Sequence, residues 1–363
     1  MKELTIQTSS KTYPVIVGDD CLTTLADFIQ NQLQPISRIW IITDKNVAPL
    51  YLENVKNQLE PYFSNILVTV VPGGEHAKTF SVFEQCHEDG LKANINRKSL
   101  ILALGGGAVG DLAGFVAATY MRGIRFIGIP TTLLAHDSAV GGKVAINHKL
   151  GKNMIGAFHQ PEAVFYDTKF LHSLPEKEWR SGFAEAIKHA LIQDGSFYEW
   201  MLENVTRLDN INSDKLTYII TKGISIKAAV VKQDERETGI REILNFGHTL
   251  GHSIENNLGY GKITHGEAVM IGMLFALKLS IEKCGLTFDL NRFETWVKQL
   301  GYELSISRCN IQIQKLIESM KKDKKTTGKE VTFVLLKQIG EPITMKFSEE
   351  ELLHSLMNYF EQF

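Results

Sequence analysis

The chain has 363 residues, of which 44% are hydrophobic and 22% are charged, and its formal net charge is −2. This composition is typical of a soluble globular enzyme with two domains. The low net charge excludes a general attraction to nucleic acid or to anionic membranes, so any anion site must be built from locally placed cations. The four cysteines show no CxxC spacing, and the first residues do not resemble a signal peptide. We therefore expect no cysteine zinc site, no nucleic-acid or membrane partner, and a cytoplasmic location.

Short apolar runs alternate with helix-like segments in the first half of the chain. The runs cover residues 38–43, 66–71, 100–104 and 126–130, and each ends near a polar or glycine-rich turn. Buried β-branched runs that alternate with helices predict a mostly parallel sheet. Ligands of such sheets usually bind at the carboxyl ends of the strands.

The apolar period becomes helical from about residue 177 to 325, and a late strand is predicted over 330–336 and a final helix over 349–360. We therefore predict an α/β nucleotide-binding domain with a mostly parallel sheet over residues 1–175. A mainly α-helical metal- and substrate-binding domain is expected over residues 176–363.

A glycine-rich turn follows the third apolar run. Gly105, Gly107 and Gly110 match GxGxxG, in which glycines allow the backbone to approach a pyrophosphate at a helix N-terminus. The acidic residue expected about 20 positions later is missing, and Asp44 is the alternative ligand for ribose hydroxyls. A second glycine turn covers residues 72–79. The pattern favours a nucleotide fold with a different strand plan, while tight turns without a ligand remain the structural alternative.

Glu185, His248 and His265 form the candidate metal set. One carboxylate and two imidazoles suit a catalytic zinc that keeps an open position. Glu185 lies in an apolar helical run, where a buried carboxylate needs a partner, and both histidines adjoin glycine. Either histidine alone is more often a packing residue. Thr249 replaces the glutamate that an HExxH protease motif would require.

Several cations lie in or beside glycine-rich or polar motifs, which suggests a phosphorylated or carboxylated substrate. They are Arg122, Lys143, Lys152, Lys188, Lys227, Arg241 and Lys324. For each of them, the alternative is an ordinary surface cation exposed to solvent. This alternative is weakest for Lys143, Lys152 and Arg241, because of their motif contexts.

Six motifs, in order along nearly the whole chain, closely resemble the 3-dehydroquinate synthase family. They are GGGAVGDLAGF at 105–115, YMRGI at 120–124, PTTLL at 130–134, DSAVGGK at 137–143, GKNMIGAF at 151–158 and LNFGH at 244–248. Related sugar-phosphate cyclases tend to differ at Gly110–Asp111, Arg241 and Asn245, and the residues found here favour 3-dehydroquinate synthase.

The resemblance implies a homodimer that binds NAD and a divalent metal, usually zinc, with cobalt also suited to the ligands. It implies zinc ligation by Glu185, His248 and His265. It implies an NAD site formed by Asp44, Asn46, Glu75, Lys78, Gly106, Gly107, Gly110, Asp111, Thr131, Thr132, Lys143, Lys152, Phe170 and Ser173. It implies substrate contacts from Arg122, Asp137, Lys143, Asn153, Lys188, Lys227, Glu237, Arg241, Asn245, His252 and Lys324. Catalytic roles are expected for Lys188, His252, Asn245, Arg241, Lys227, Asp137 and Lys143.

The implied reaction converts 3-deoxy-D-arabino-heptulosonate 7-phosphate, a phosphorylated sugar acid, to 3-dehydroquinate and phosphate in aromatic amino acid biosynthesis. Its steps are transient oxidation by NAD, phosphate elimination, re-reduction, ring opening and an intramolecular aldol reaction. The alternatives are another sugar-phosphate cyclase, a metal-dependent polyol dehydrogenase and a zinc-stabilised binding module. A structural zinc would normally have four protein ligands, and only three good ones are found here.

Overall fold

The computed structural model of the chain describes residues 1–259, 261–305, 312–321 and 330–361. It divides into two compact units, which are Met1–Leu174 with Asn212–Arg236, and Pro175–Ile211 with Glu237–Phe363. Among the described residues, no helix is both long enough and apolar enough to cross a bilayer.

A seven-stranded sheet forms the centre of the first unit. Its order is β1-β2-β9-β6-β5-β3-β4, with only β1 and β2 antiparallel. The strands are β1 Lys2–Gln7, β2 Thr12–Val17, β3 Ile39–Asp44, β4 Leu67–Val71, β5 Leu100–Gly105, β6 Arg125–Pro130 and β9 Ala163–Tyr166. The predicted mostly parallel α/β fold is confirmed, and the four predicted apolar runs are β3 to β6.

Successive side chains of the buried strands point to opposite faces of this sheet, so an apolar core forms on each face. In β3, Ile39 and Ile41 pack into one apolar cluster, whereas Trp40 and Ile42 pack into the other. The helices of the unit are α1 Leu25–Gln32, α2 Glu53–Leu59, α3 Phe80–Lys92, α4 Gly107–Thr119, α5 Ala135–Ser138 and α8 Ser213–Gln233. A separate antiparallel hairpin, β7 Lys143–His148 and β8 Gly151–Phe158, packs on α4.

The predicted division of the chain at residue 175 placed helix α8 in the second domain, and the structure differs on this point. Helix α8 lies in the first unit because it packs against β1, β2 and α5. Its N-cap is the Asn212 side chain, which accepts a hydrogen bond from the Lys215 N–H. Helical periodicity cannot show this, because it reports that a helix has a buried face but not which unit covers that face.

The second unit is mainly helical, as predicted. Its helices are α6 Glu176–Gln193, α7 Gly195–Asn204, α9 His248–Leu258, α10 His265–Cys284, α11 Leu290–Gln299, α12 Ile313–Lys321 and α13 Glu349–Phe360. A hairpin of β10 Val331–Gln338 and β11 Glu341–Phe347 completes it, and the second strand was not predicted. Helix α10 is apolar on nearly all sides and packs against α6, α9 and β10, which makes it the central helix of the unit.

Candidate active site

The carboxylate and the two histidines of the candidate metal set meet within the second unit. Glu185 Oε1 lies 3.3 Å from His248 Nε2 and 3.3 Å from His265 Nε2. Ligand atoms that lie about 2.1 Å from a tetrahedral zinc are about 3.4 Å from one another. Both nitrogens therefore lie at a distance from Glu185 Oε1 that suits ligands of one ion.

Each of the two imidazoles has a hydrogen-bond partner at Nδ1 and has its Nε2 near Glu185. His248 Nδ1 lies 3.2 Å from the Phe246 carbonyl oxygen, and His265 Nδ1 lies 2.9 Å from Glu255 Oε2. Both partners are acceptors, so in the neutral ring Nδ1 carries the proton and Nε2 is the atom that can bind a metal. Glu185 is 1% exposed, and neither of its oxygens has a hydrogen bond of good geometry among the described residues. A cation at this point would satisfy these atoms, so the residues fit a divalent metal.

Charged neighbours also favour an ionised Glu185. Burial alone would raise its pKa, but Lys188 Nζ, 2.5 Å from Glu185 Oε2, and His248 hold it well below the ordinary value. Burial lowers the pKa of His248 to about 4, against the influence of Glu185. Burial also opposes a charged His265, but Glu255 and Glu185 raise its pKa to about 9.

Glycines allow helices α6, α9 and α10 to approach closely enough to bring the ligands together. A Cβ on Gly266 would lie 2.0 Å from the Ser181 carbonyl oxygen, and one on Gly272 would lie 1.9 Å from the Gly247 carbonyl oxygen. Thr264 and Glu267 form a capping box that starts α10 at His265. The same Glu267 accepts a hydrogen bond from Arg180 of α6 at 2.9 Å, so the start of α10 is fixed to the helix that carries Glu185.

Other predicted residues of the second unit lie near the start of α9. Glu237 has a left-handed backbone with φ of 57°, and Arg241 and Asn245 lie in the 3₁₀ helix Ile240–Asn245. Arg241 is 1% exposed, and the Asn245 amide donates to the Glu242 carbonyl at 2.8 Å. His252 lies near the metal set, with its ring centroid 5.1 Å from that of His248 and its ring nearly perpendicular to it. Lys324 lies outside the described residues.

In the first unit, the predicted cofactor residues gather at the carboxyl ends of the parallel strands. Asp44 ends β3, Glu75 and Lys78 follow β4, the glycine turn joins β5 to α4, and Thr131 follows β6. A pocket there is lined by Gly106, Gly107, Gly110, Asp111 and Lys143, together with other residues of the unit. The Thr131 and Thr132 hydroxyl oxygens are buried and have no hydrogen-bond partner among the described residues. A glycine-rich turn and unsatisfied hydroxyls at the carboxyl ends of parallel strands have the chemistry that the phosphates and ribose of a dinucleotide require.

An ion-pair network connects the second glycine turn to α4 and to the β7–β8 hairpin. Lys78 is 1% exposed, and its Nζ lies 2.5 Å from Asp111 Oδ2 and also donates to Asn153 Oδ1. Lys152 pairs with Glu75 at 3.1 Å. Asn153 was expected to contact the substrate. In the structure its side chain accepts a hydrogen bond from Lys78 and so belongs to this network.

Asp137 and Lys227 form a second pair in the first unit. Lys227 Nζ lies 3.0 Å from Asp137 Oδ2 and also donates to the Asp137 carbonyl oxygen. The residues belong to α5 and α8, so the packing of α8 on α5 makes the pair. The sequence predicted both residues for the substrate but not their contact.

Arg122 does not lie with the other predicted residues of its unit. It precedes β6 at the amino end of that strand and lines a surface depression with Arg97 and Lys98. The length of β6 separates it from Thr131 by about 17 Å along the strand. The Arg122 motif is close to the cofactor motifs in sequence, but strand β6 lies between them. They therefore lie at opposite ends of that strand.

Three residues of these sites were not predicted. Glu255 contacts His265, and its spacing of seven residues from His248 on one helix is a signal that could have found it. Asn147 donates to Glu75 Oε2 at 2.7 Å. Tyr51 contacts the predicted Phe170 and Ser173, with ring centroids 4.1 Å apart and its hydroxyl donating to Ser173 Oγ at 2.6 Å. The last two are long-range contacts with no local sequence signal.

Comparisons with known proteins agree with this fold. The model of the 3-dehydroquinate synthase N-terminal region matches residues 68–181, and that of the C-terminal region matches residues 182–326. A 3-dehydroquinate synthase of Geobacillus thermodenitrificans (strain NG80-2) is 52% identical over 363 residues, which are 100% of this chain and 99% of that protein.

Solved structures resemble the chain over almost its full length. One is 2-deoxy-scyllo-inosose synthase complexed with carbaglucose-6-phosphate, NAD+ and Co2+, at a TM-score of 0.89 and 25% identity, covering 99% of this chain and 100% of that one. ValA, a 2-epi-5-epi-valiolone synthase from Streptomyces hygroscopicus subsp. jinggangensis 5008 with NAD+ and Zn2+ bound, shares the fold at a TM-score of 0.86 and 22% identity, covering 98% and 99%. The fold of this chain is thus that of a sugar-phosphate cyclase. Within that class, the chain belongs to the 3-dehydroquinate synthase family.

Proposed function

We propose that this chain converts 3-deoxy-D-arabino-heptulosonate 7-phosphate to 3-dehydroquinate and phosphate, with NAD and a divalent metal, zinc or cobalt, as cofactors. The observation that carries this proposal is that Glu185 Oε1 lies 3.3 Å from both His248 Nε2 and His265 Nε2, beside the buried Lys188. Full-length identity of 52% to a relative of the same name supports the choice of substrate. The proposal includes a lyase activity in which NAD is recycled within each turnover.

When bound, NAD supplies a reversible hydride acceptor and the metal supplies a Lewis acid for substrate oxygens. Glu185, His248 and His265 hold the metal and bring a single negative charge. The Lys188 ammonium, 2.5 Å from Glu185 Oε2, offsets that charge. The site therefore leaves most of the charge of a divalent ion available to substrate hydroxyls, whose pKa values it lowers.

Proton movement is assigned to His252. One ring nitrogen from each of His248, His252 and His265 lies within 4.8 Å of the others. Since Glu185 Oε1 would complete the metal set with the other two histidines, His252 is assigned the transfer of a proton at a substrate hydroxyl. The phosphate of the substrate is itself a plausible base for the elimination, so the protein needs mainly to orient it.

Residues proposed for substrate contact occur in each of the two units. Those of the first unit are Asp137, Lys143, Asn153 and Lys227, and those of the second are Lys188, Glu237, Arg241, Asn245 and His252. Asp137 holds the Lys227 ammonium in place, so this ammonium would donate to an anionic group from a fixed position, within a pair that is neutral overall. The position of Arg122 at the amino end of β6 gives no support to a substrate contact within its own unit.

We also propose a homodimer in the cytoplasm. The family resemblance supports the dimer. Free thiols at Cys21, Cys86 and Cys284 support a reducing compartment.

The deciding experiment follows phosphate release and NADH absorbance together, with substrate, catalytic NAD and zinc. Phosphate in many-fold excess over NAD, without NADH accumulation, is expected. NADH formed from a simple polyol, without phosphate release, would assign a polyol dehydrogenase. Inactivity with this substrate but turnover of glucose 6-phosphate or sedoheptulose 7-phosphate would assign another cyclase. Glu185→Ala serves as the control for contaminating phosphatase.

A further inference from the structure

Glu255 is a buried carboxylate directly behind one of the candidate metal ligands. The residue is 8% exposed, and its Oε2 lies 2.9 Å from His265 Nδ1. A buried carboxylate is costly unless a donor is present, and the imidazole N–H is such a donor. The opposite ring nitrogen, Nε2, is the atom that lies 3.3 Å from Glu185 Oε1.

The placement of Glu255 follows from helix α9. His248 starts this helix, and Glu255 lies seven residues later, two turns along the same face. The helix ends at Leu258, and the chain then returns to start α10 at His265. Helix α9 therefore carries one ligand itself and also carries the side chain that orients another ligand on the next helix.

The two histidines are supported by different partners. His248 Nδ1 has a neutral partner, the Phe246 carbonyl oxygen at 3.2 Å, whereas His265 Nδ1 has a carboxylate at 2.9 Å. A carboxylate behind a ligating imidazole fixes its tautomer and ring orientation and strengthens it as a ligand, and removing such partners costs 10- to 100-fold in metal affinity. His265 is thus the ligand whose strength depends on a neighbouring side chain.

We propose that Glu255 is a positioning residue that sets the metal affinity of the site by holding His265 with its proton on Nδ1 and its Nε2 facing Glu185. Glu255 does not itself contact the metal. The inference rests on the proposed metal site and adds to it the residue that determines how tightly the ion is held.

The test measures zinc affinity by competition with a chromogenic chelator, without substrate or NAD, for wild type, Glu255→Ala and Glu255→Gln. Weakening of 10- to 100-fold is expected for Glu255→Ala. A smaller loss is expected for Glu255→Gln, whose amide oxygen can still accept from Nδ1 but carries no charge. Glu282→Gln, an exposed carboxylate on α10, is the matched control and should leave the affinity unchanged.

A second readout is the visible absorption of the cobalt-substituted proteins, which should change in Glu255→Ala if His265 turns away from the ion. Wild-type zinc affinity and an unchanged cobalt spectrum in both variants would overturn the inference. If Glu255→Ala does not fold, the near-isosteric Glu255→Gln decides alone. Absence of zinc binding by the wild type would instead contradict the proposed metal site, so the two failures are distinguishable.

Discussion

Gly266 lies against Ser181 so closely that a Cβ at position 266 would stand 2.0 Å from the Ser181 carbonyl oxygen. The Gly266 N–H also donates to Ser181 Oγ at 3.1 Å. This contact fixes the separation of α6 and α10 where they carry Glu185 and His265. The distance between these two ligands is therefore set by backbone contact between their helices.

We expect Gly266→Ala to push α10 away from α6, because backbone atoms cannot yield as a flexible side chain would. Zinc affinity should fall at least tenfold, and the thermal unfolding midpoint should drop. Gly195→Ala is the control, since its Cβ would meet Ile339 at an ordinary 3.4 Å. Equal zinc affinity in Gly266→Ala and wild type would contradict the close-approach argument.

The identity of the ligands can be tested through Glu185 and His252. Glu185→Ala should empty the site, because it removes the carboxylate that lies 3.3 Å from both imidazoles, and zinc content measured by mass spectrometry should approach zero. His252→Ala should keep near-normal zinc but lose most of its turnover. Full zinc in Glu185→Ala together with an empty site in His252→Ala would show that the three histidines are the ligands.

Lys78 is buried beside Asp111, and its replacement by methionine should leave a carboxylate without its ammonium partner. Breaking a buried pair in this way costs about 3 kcal/mol, and we expect a lower unfolding midpoint and weaker NAD binding by calorimetry. The double variant Lys78→Met/Asp111→Asn removes both charges and should recover part of the stability. Lys92→Met, at a solvent-exposed pair with Glu88, is the control and should change neither property.

Glu235 should make the stability of the first unit depend on pH. Burial alone would raise its pKa, but hydrogen bonds from Ser10, Ser9 and Gln160 lower it to about 2. Since this value lies below that of the unfolded chain, the stabilisation is complete above about pH 4.5 and is lost as the pH falls towards 2.

We therefore expect Glu235→Gln to lose about 2 kcal/mol of unfolding free energy at pH 7. Its difference from wild type should shrink between pH 5 and pH 3 in urea titrations. Glu88→Gln, an exposed carboxylate, is the control. A difference that stays constant over this pH range would show that Glu235 is not held ionised by the fold.

Much of the site could be predicted from local sequence. The glycine turn after β5, the apolar run around Glu185 and the glycine-flanked histidines each carry their signal within a few residues, because tight turns and buried carboxylates restrict residue type locally. The final helix was predicted over 349–360 and is observed as Glu349–Phe360 for the same reason, since its capping box and apolar period are contiguous.

Tertiary structure alone decided which of these segments meet. Helix α8 is inserted in the chain between segments of the second unit, yet it packs on β1 and α5, and this packing pairs Lys227 with Asp137. Arg122 and Thr131 are nine positions apart, but a strand lies between them and places them at opposite ends of the sheet.

The sequence by itself determined the residue types, the periods and the motifs, since these depend on neighbours along the chain. The contacts of Glu255 with His265 and of Gly266 with Ser181 depend on how helices cross, and helix crossing is determined by packing across the whole unit.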